Sequence, residues 1–324
     1  MPKTVLLTAP YMKPFVEKFR PVFDHYQLDL VVPEVEERME EEDIQKFAGQ
    51  FDGVICGDDQ YTQKAIEACL PRLKVISKWG TGIDSIDKEF AETQGVLVGN
   101  TLNAFTQPVA DTVLGYILAF ARRQPWMDKD VKKGKWVKIS GHALNESTLG
   151  VIGVGNIGKA VIRRAKAFGM KILGNDIVDI DPNFIKEFEV EMLSLDELLA
   201  KADYVSLNCD LNPTSYHLMD SNALNKMKES AVLINTARGP VVNEENFIKA
   251  LNNKQIAVAA LDEFEYEPLS KDSPLLNFEN LMLAPHNSNS SPTAWEHVHW
   301  NSIRNLLIGL NIPHEDLSPE LLNG

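Results

Sequence analysis

Three residues in the last third of the chain carry side chains suited to anion binding and proton transfer: Arg238, Glu267 and His286. Each lies just past a short apolar run. Arg238 sits in Asn235-Thr236-Ala237-Arg238-Gly239, Glu267 follows Ala260-Leu261-Asp262-Glu263-Phe264 and precedes Pro268, and His286 follows Ala284-Pro285. A guanidinium neutralises a carboxylate or a developing oxyanion, and an imidazole carries a proton near neutral pH. A carboxylate beside that imidazole favours its charged form. Taken singly they read as a solvated turn arginine, a loop glutamate and a turn histidine. Together, at the carboxyl ends of parallel strands where α/β sheets bind ligands, they read as a catalytic set.

A second pattern says what would react there. Gly153-Val154-Gly155-Asn156-Ile157-Gly158 matches GxGxxG, with a strand end at Val151-Ile152 before it and a helix over Lys159–Phe168 after it. Gly153 makes the tight turn, Gly155 lets a pyrophosphate approach the backbone, and Gly158 lets helix and strand pack closely. The helix start at Asn156 and Ile157 then offers N–H groups and a positive dipole end to phosphate. Asp176 closes the next apolar run, where its carboxylate can accept from both adenine-ribose hydroxyls. It would repel a 2′-phosphate, and Ile177 supplies no rescuing cation, so NAD is expected over NADP. Thr236 and Ala237, beside Arg238, are expected to line the cofactor as well.

These side chains need a frame. Val5–Leu7, Leu28–Val32, Gly53–Cys56, Val75-Ile76 and Val96–Val98 read as short buried strands separated by helix-length segments, the pattern of parallel βαβ units. The acidic stretch Glu34–Asp43 reads as the solvated face and first turn of a helix, and Ala104–Arg122 as one long helix. The polar segment Arg123–Ser147, with Pro125, Gly134 and Gly141, marks a boundary or an arm. A second series follows, with strands at Leu149–Gly153, Lys171–Asp176, Tyr204–Asn208, Ala231–Asn235, Val258–Leu261 and Leu281–Ala284. Ser194 with Glu197 forms a capping box, and Asn243 before Glu244-Glu245 marks another helix start. A last helix, Pro292–Leu310, has nowhere to pack in the second series and is expected to return to the first. The expected fold is α/β with two parallel-sheet domains. Residues 1–102 plus 293–324 form a smaller flavodoxin-like substrate domain, and residues 103–292 form a Rossmann nucleotide-binding domain.

Composition narrows the class. The 32 basic against 46 acidic residues give a net charge of −14, which argues against nucleic acid or an anionic membrane surface as partner. The longest apolar run, Val113–Ala121, falls short of the roughly 18 residues of a membrane span. No signal peptide follows Lys3, and Cys56, Cys69 and Cys209 are scattered without metal spacing, so a cytoplasmic protein is expected. Glu296, His297 and His299 suggest a metal site only briefly. The two histidines are two apart on a helix and face different ways, so no metal is expected. Cys209 reads as a packing residue, and no GxSxG elbow supports a hydrolase.

From Lys78 to Thr293 the chain resembles the D-isomer-specific 2-hydroxyacid dehydrogenases, and most their phosphoglycerate-dehydrogenase-like branch. The resemblance is carried by Gly80-Thr81-Gly82-Ile83-Asp84-Ser85-Ile86-Asp87, the fingerprint with Asp176, Asn235–Val242, Leu261–Pro268 and Pro285-His286. It implies that Arg238 binds the substrate carboxylate and carbonyl, that His286 is the acid/base and that Glu267 pairs with it. It also implies that Asp262 holds the nicotinamide carboxamide, that the backbone of Thr81, Gly82 and Ile83 grips the carboxylate, and that the protein is a homodimer, with Trp126 and Trp136 of the polar segment as candidate contacts. Closure of the two domains would exclude water from hydride transfer.

Departures from the family pattern bear on substrate. His286-Asn287-Ser288-Asn289 replaces the usual His-Ile-Gly-Gly and offers hydrogen-bonding groups to a polar substrate, while Val109-Ala110-Asp111 and Phe105 also differ. Where the branch places a phosphate-binding arginine, this chain has Gly57-Asp58-Asp59, and Lys78 is the one nearby cation that could take its place. The expected activity is therefore NAD-dependent interconversion of a small, unphosphorylated D-2-hydroxy acid and its 2-keto acid. A non-enzymatic NAD(H) sensor on the same fold and a 3-phosphoglycerate dehydrogenase are the alternatives.

Overall fold

Parallel strands covered by helices on both sides must be apolar throughout, and the apolar runs of this sequence do form such strands. A computed structural model describes residues 2–256 and 258–323 and separates into two compact units. The first comprises Met1–Ala104 and Ser291–Gly324. Its strands are β1 (Lys3–Leu7), β2 (Leu28–Val31), β3 (Gly53–Cys56), β4 (Val75–Lys78) and β5 (Leu97–Gly99), all parallel, in the order β2-β1-β3-β4-β5. That is the flavodoxin-like order. The helix Pro292–Gly309 starts at Ser291, whose hydroxyl accepts from Ala294 N, and lies on β3, β4 and β5. Val298, Ile303, Leu306 and Leu307 bury its apolar face, and Ser77 Oγ donates to Ser302 O at 2.8 Å.

The second unit, Phe105–Ser290, holds β6 (Thr148–Ile152), β7 (Lys171–Asn175), β8 (Glu191–Met192), β9 (Tyr204–Leu207), β10 (Val232–Asn235), β11 (Val258–Leu261) and β12 (Leu281–Leu283). They form one parallel sheet in the order β12-β11-β10-β9-β6-β7-β8. The order reverses between β6 and β9, and the strand carboxyl ends at such a switch point are where open α/β sheets bind ligands. Residues on β9, β10 and β11 are buried throughout, with Val151, Ile234 and Ala260 in the core on one side and Leu207, Leu233 and Leu261 on the other.

Two local readings are refined by the structure, and one strand has no counterpart in the sequence analysis. The acidic stretch is helical only over Glu41–Gln45, where Glu41, Glu42 and Asp43 form the first turn; residues 34–40 run as loop. Arg123–Ser147, read as a boundary or an arm, lies within the second unit, since the division falls at Ala104 and the helix Thr106–Arg122 belongs to that unit. It opens with a further helix, Gln124–Lys132, whose Trp126 packs on the preceding helix: its ring lies 5.2 Å from Phe120, and its Nε1 donates to Glu279 O. The two-residue β8 has no apolar run to announce it. Among the described residues no helix is long and apolar enough to cross a membrane.

Candidate active site

Three strand ends of the second unit are tied together before any side chain takes part. Asp262 N donates to Asn235 O at 3.0 Å and His286 N donates to Asp262 O at 2.9 Å, which extends the β10–β11–β12 ladder into the loops. Asn235 is buried and caps its own turn: its Oδ1 accepts from Ala237 N at 3.1 Å, and its Nδ2 donates to Arg238 O at 2.9 Å. Gly239 lets this turn press against the next loop, since a Cβ there would stand 1.8 Å from Phe264 O. Arg238 and the loop after β11 are thereby fixed side by side.

His286 is held from both ring nitrogens. Nδ1 lies 3.0 Å from Glu267 Oε2, and Nε2 lies 3.0 Å from Glu263 Oε1. Glu267 is itself positioned, its Oε1 accepting from Phe264 N at 2.8 Å. Arg238 Nη1 donates to Ala237 O at 2.8 Å and stands 3.7 Å from Glu263 Oε1. Ligating-type atoms of Glu263, Glu267 and His286 all fall within 4.8 Å of one another. Burial alone would push the imidazole down, but the two carboxylates outweigh it and hold His286 well above the usual histidine range. Burial likewise pushes Glu263 up to about 7, against the pull of His286 and Arg238.

The sequence reading singled out Arg238, Glu267 and His286, and the structure brings all three together. It did not single out Glu263, which is 4% exposed and stands between Arg238 and His286. The only signal was a second acid, after Asp262, at the end of an apolar strand. Asp262 has a task of its own here. Its two carboxylate oxygens accept from Asn287 N at 3.0 Å and Ser288 N at 2.8 Å, which clamps the loop that carries His286. Ser288 is buried by that clamp, while Asn287 is exposed and Asn289 half-buried.

The glycine turn at the switch point fits a dinucleotide. Gly153 has φ +86°, and a Cβ there would meet Cys209 N at 2.6 Å; at Gly158 it would meet Gly153 O at 2.1 Å. At Gly155 a Cβ would meet nothing within 4 Å, so the backbone is open where a pyrophosphate must approach. Asn156 begins the helix that runs to Ala167, with Ile157 in its first turn. Asp176 Oδ2 accepts from Val154 N at 2.6 Å and Oδ1 from Val178 N at 3.1 Å, so the carboxylate is fixed beside the glycine turn. Thr236 is 5% exposed, and its buried Oγ1 has no hydrogen-bond partner among the described residues, an acceptor and donor waiting for a ligand. Cys209 is a packing residue whose thiol burial pushes up to about 11.

In the first unit, the loop after β4 is built from Thr81, Gly82 and Ile83. Thr81 Oγ1 donates to Thr101 O at 2.8 Å, Asn100 Nδ2 donates to Thr81 O at 2.5 Å, and Thr101 N donates to Gly80 O at 2.8 Å. Two charges singled out in the sequence are turned inward. Lys78, the cation that could take the place of a phosphate-binding arginine, is 4% exposed, 3.0 Å from Asp58 Oδ1, and donates to Trp79 O at 3.2 Å. Asp59 does not face a ligand either, because it is fully buried, accepting from Met39 N at 2.5 Å and from the Thr8 hydroxyl. His299 is a buried packing residue and His297 is exposed, on another face of their helix.

Comparison with known proteins places these features in a family. Residues 114–288 match the family described as D-isomer specific 2-hydroxyacid dehydrogenase, NAD binding domain. A glyoxylate reductase of Thermococcus onnurineus is 34% identical over 100% of this chain and 98% of its own length. A glyoxylate reductase of Thermofilum pendens is 38% identical over 84% of this chain and 81% of its own. The crystal structure of a D-lactate dehydrogenase from Aquifex aeolicus complexed with NAD and lactic acid superposes with a TM-score of 0.83 at 26% identity, covering 95% of each chain.

Proposed function

The chain belongs to the D-isomer-specific 2-hydroxyacid dehydrogenases, and from that premise we propose how its residues carry out the reaction. It is an NAD-dependent oxidoreductase that interconverts a small 2-hydroxy acid and its 2-keto acid, and an unphosphorylated substrate fits. The observation that carries the assignment of roles is His286 held at Nδ1 by Glu267 beside Arg238. When bound, the nicotinamide supplies the hydride acceptor or, reduced, the hydride donor. His286 Nε2 gives a proton to the carbonyl oxygen in reduction and takes it from the hydroxyl in oxidation. Glu267 keeps the ring oriented and its charged form favoured, and Arg238 neutralises the substrate carboxylate and the charge that builds on oxygen. Gly153, Gly155, Asn156, Ile157, Gly158, Asp176, Thr236, Ala237 and Asp262 would hold the cofactor. Thr81, Gly82 and Ile83 are retained as a candidate carboxylate grip. The smaller unit would then be the substrate domain and Phe105–Ser290 the NAD domain.

Substrate size follows from charge. With Lys78 paired to Asp58, it is not free to serve a phosphoryl group at that position. Glyoxylate, hydroxypyruvate and pyruvate should each be reduced, and 3-phosphohydroxypyruvate at least tenfold less efficiently by kcat/KM. NADH should be preferred over NADPH by about a hundredfold, given the carboxylate of Asp176. Activity confined to the phosphorylated acid, or equal use of both cofactors, would remove these assignments.

We propose a homodimer as the working assembly, supported by the exposed apolar surface of Val131, Val137 and Trp136, the last 91% exposed. A reducing, cytoplasmic setting is supported by Cys56 and Cys69, both free and buried.

A further inference from the structure

Glu263 is out of place in a site that must receive an anion. Its carboxylate is buried, 3.0 Å from His286 Nε2 and 3.7 Å from Arg238 Nη1. Those are the proton-transfer nitrogen and the guanidinium that a 2-keto acid requires. The guanidinium has N–H groups to spare, but Nε2 has a single N–H and cannot serve Glu263 and substrate at once.

Charge sharpens the conflict. The groups that face Glu263 are His286, Arg238 and Glu267, while neighbouring Asp262 is turned to the amides of Asn287 and Ser288. With His286 and Arg238 positive and both glutamates negative, the cluster is neutral. A 2-keto acid monoanion added to it leaves one uncompensated negative charge in a buried place, which is strongly disfavoured. Protonation of one carboxylate restores neutrality. Glu267 is the poorer choice, because it anchors Nδ1 and accepts from Phe264 N. Glu263, fully buried, is the group for which the neutral form costs least near pH 7. A neutral carboxyl also gains an O–H, so it can turn from acceptor at Nε2 to donor toward the incoming oxygen.

On the reading of the reaction given above, we propose that Glu263 is a specificity-determining residue that occupies Nε2 of His286 in the free enzyme and yields it to an anionic 2-keto acid by taking up one proton. Binding of keto acid is then linked to proton uptake, and the residue favours substrate capture at the acid side of neutrality. The alternative is that Glu263 merely orients the imidazole, a second clamp beside Glu267.

The two are separated by oxamate, an unreactive mimic of a 2-keto acid, titrated against the enzyme–NADH complex. In the wild type, oxamate affinity should fall by about tenfold per pH unit above pH 7, with uptake of roughly one proton measured calorimetrically in two buffers. In Glu263→Gln, His286 keeps Glu267 as its partner, and oxamate should bind about tenfold tighter than in wild type at pH 8 and nearly equally at pH 6. KM for glyoxylate should fall with it, while kcat changes less than KM. Binding of oxamate no tighter in Glu263→Gln at pH 8, or a loss of kcat at unchanged KM, would overturn the proposal in favour of an orienting role. NADH affinity reports on the integrity of the variant; should it fail to fold, a pH-independent wild-type affinity between pH 6.5 and 8.5 overturns the proposal alone. Because oxamate needs no turnover, failure to reduce any 2-keto acid would strike the assigned reaction and leave the Glu263 result separately readable.

Discussion

His286 in the second unit and His299 in the first are both withdrawn from water, yet their surroundings ask opposite things of the same ring. Both nitrogens of His286 face carboxylates, Glu267 at Nδ1 and Glu263 at Nε2. Two acceptors call for two donors, which is the imidazolium. His299 sits among Phe15, Phe19 and Trp79, and its Nδ1 accepts from Trp79 Nε1 at 2.9 Å. An indole N–H can only donate, so that ring must be neutral at Nδ1. Burial pushes His299 down to about 4, with Glu296 opposing weakly and Lys18 adding to the fall. Burial acts the same way on His286 and is overruled. The partner, not the burial, separates a proton carrier from a packing residue.

The largest effect that can break this contrast is on rate. His286→Ala should lower kcat for keto acid reduction by roughly 10²–10⁴ while NADH affinity stays within a few-fold. His299→Gln, which keeps an acceptor for Trp79, should leave kcat within about threefold. Steady-state kinetics with NADH and glyoxylate decide it: comparable losses in both variants would mean that the local chemistry does not distinguish the two histidines.

The two rings were not equally legible beforehand. His286 stood at the end of an apolar run beside two other strand-end residues, so its role followed from position along the chain. The buried parallel strands were legible for the same reason: a strand covered on both faces is written as an uninterrupted apolar run. Glu263 was not, because what makes it unusual is the approach of three strand ends separated by tens of residues, held by Gly239 and the ladder through Asp262. The burial of Lys78 and Asp59 was not legible because strand ends carry both solvent-facing and inward-facing charges, and local sequence does not say which. The short helix after Glu40 was over-extended since a run of acids suits a helix start but does not lengthen the helix.

A middle-sized effect sharpens the contrast from the side of stability. A base held neutral by burial has its folded pKa below the unfolded value, so the unfolded chain binds more protons on acidification. The stabilisation from His299 is complete above about pH 6.5 and is lost as pH falls toward about 4. The full loss corresponds to roughly 3 kcal/mol. Urea midpoints of the wild type and His299→Gln should therefore converge as pH falls through that window. Parallel curves would show that His299 does not titrate there.

The smallest expected effect tests whether a single carboxylate sets the charge of His286. In Glu267→Gln the new side chain must still satisfy Phe264 N, which commits its carbonyl oxygen to that bond and turns its amide NH₂ toward Nδ1. A donor facing Nδ1 disfavours the imidazolium, so the raised pKa of His286 must come down, although Glu263 still supports it at Nε2. Reduction of a keto acid needs the protonated ring, and therefore its activity should be lost at a lower pH than in the wild type. We expect the basic limb of the kcat profile for glyoxylate reduction, read at saturating glyoxylate so that capture by Glu263 does not enter, to move down by about one pH unit, roughly tenfold in rate on that limb. Oxidation of the hydroxy acid, which needs the neutral ring, should set in at correspondingly lower pH. Superimposable profiles would assign the charge of His286 to Glu263 alone, and would leave Glu267 the task of orienting the ring.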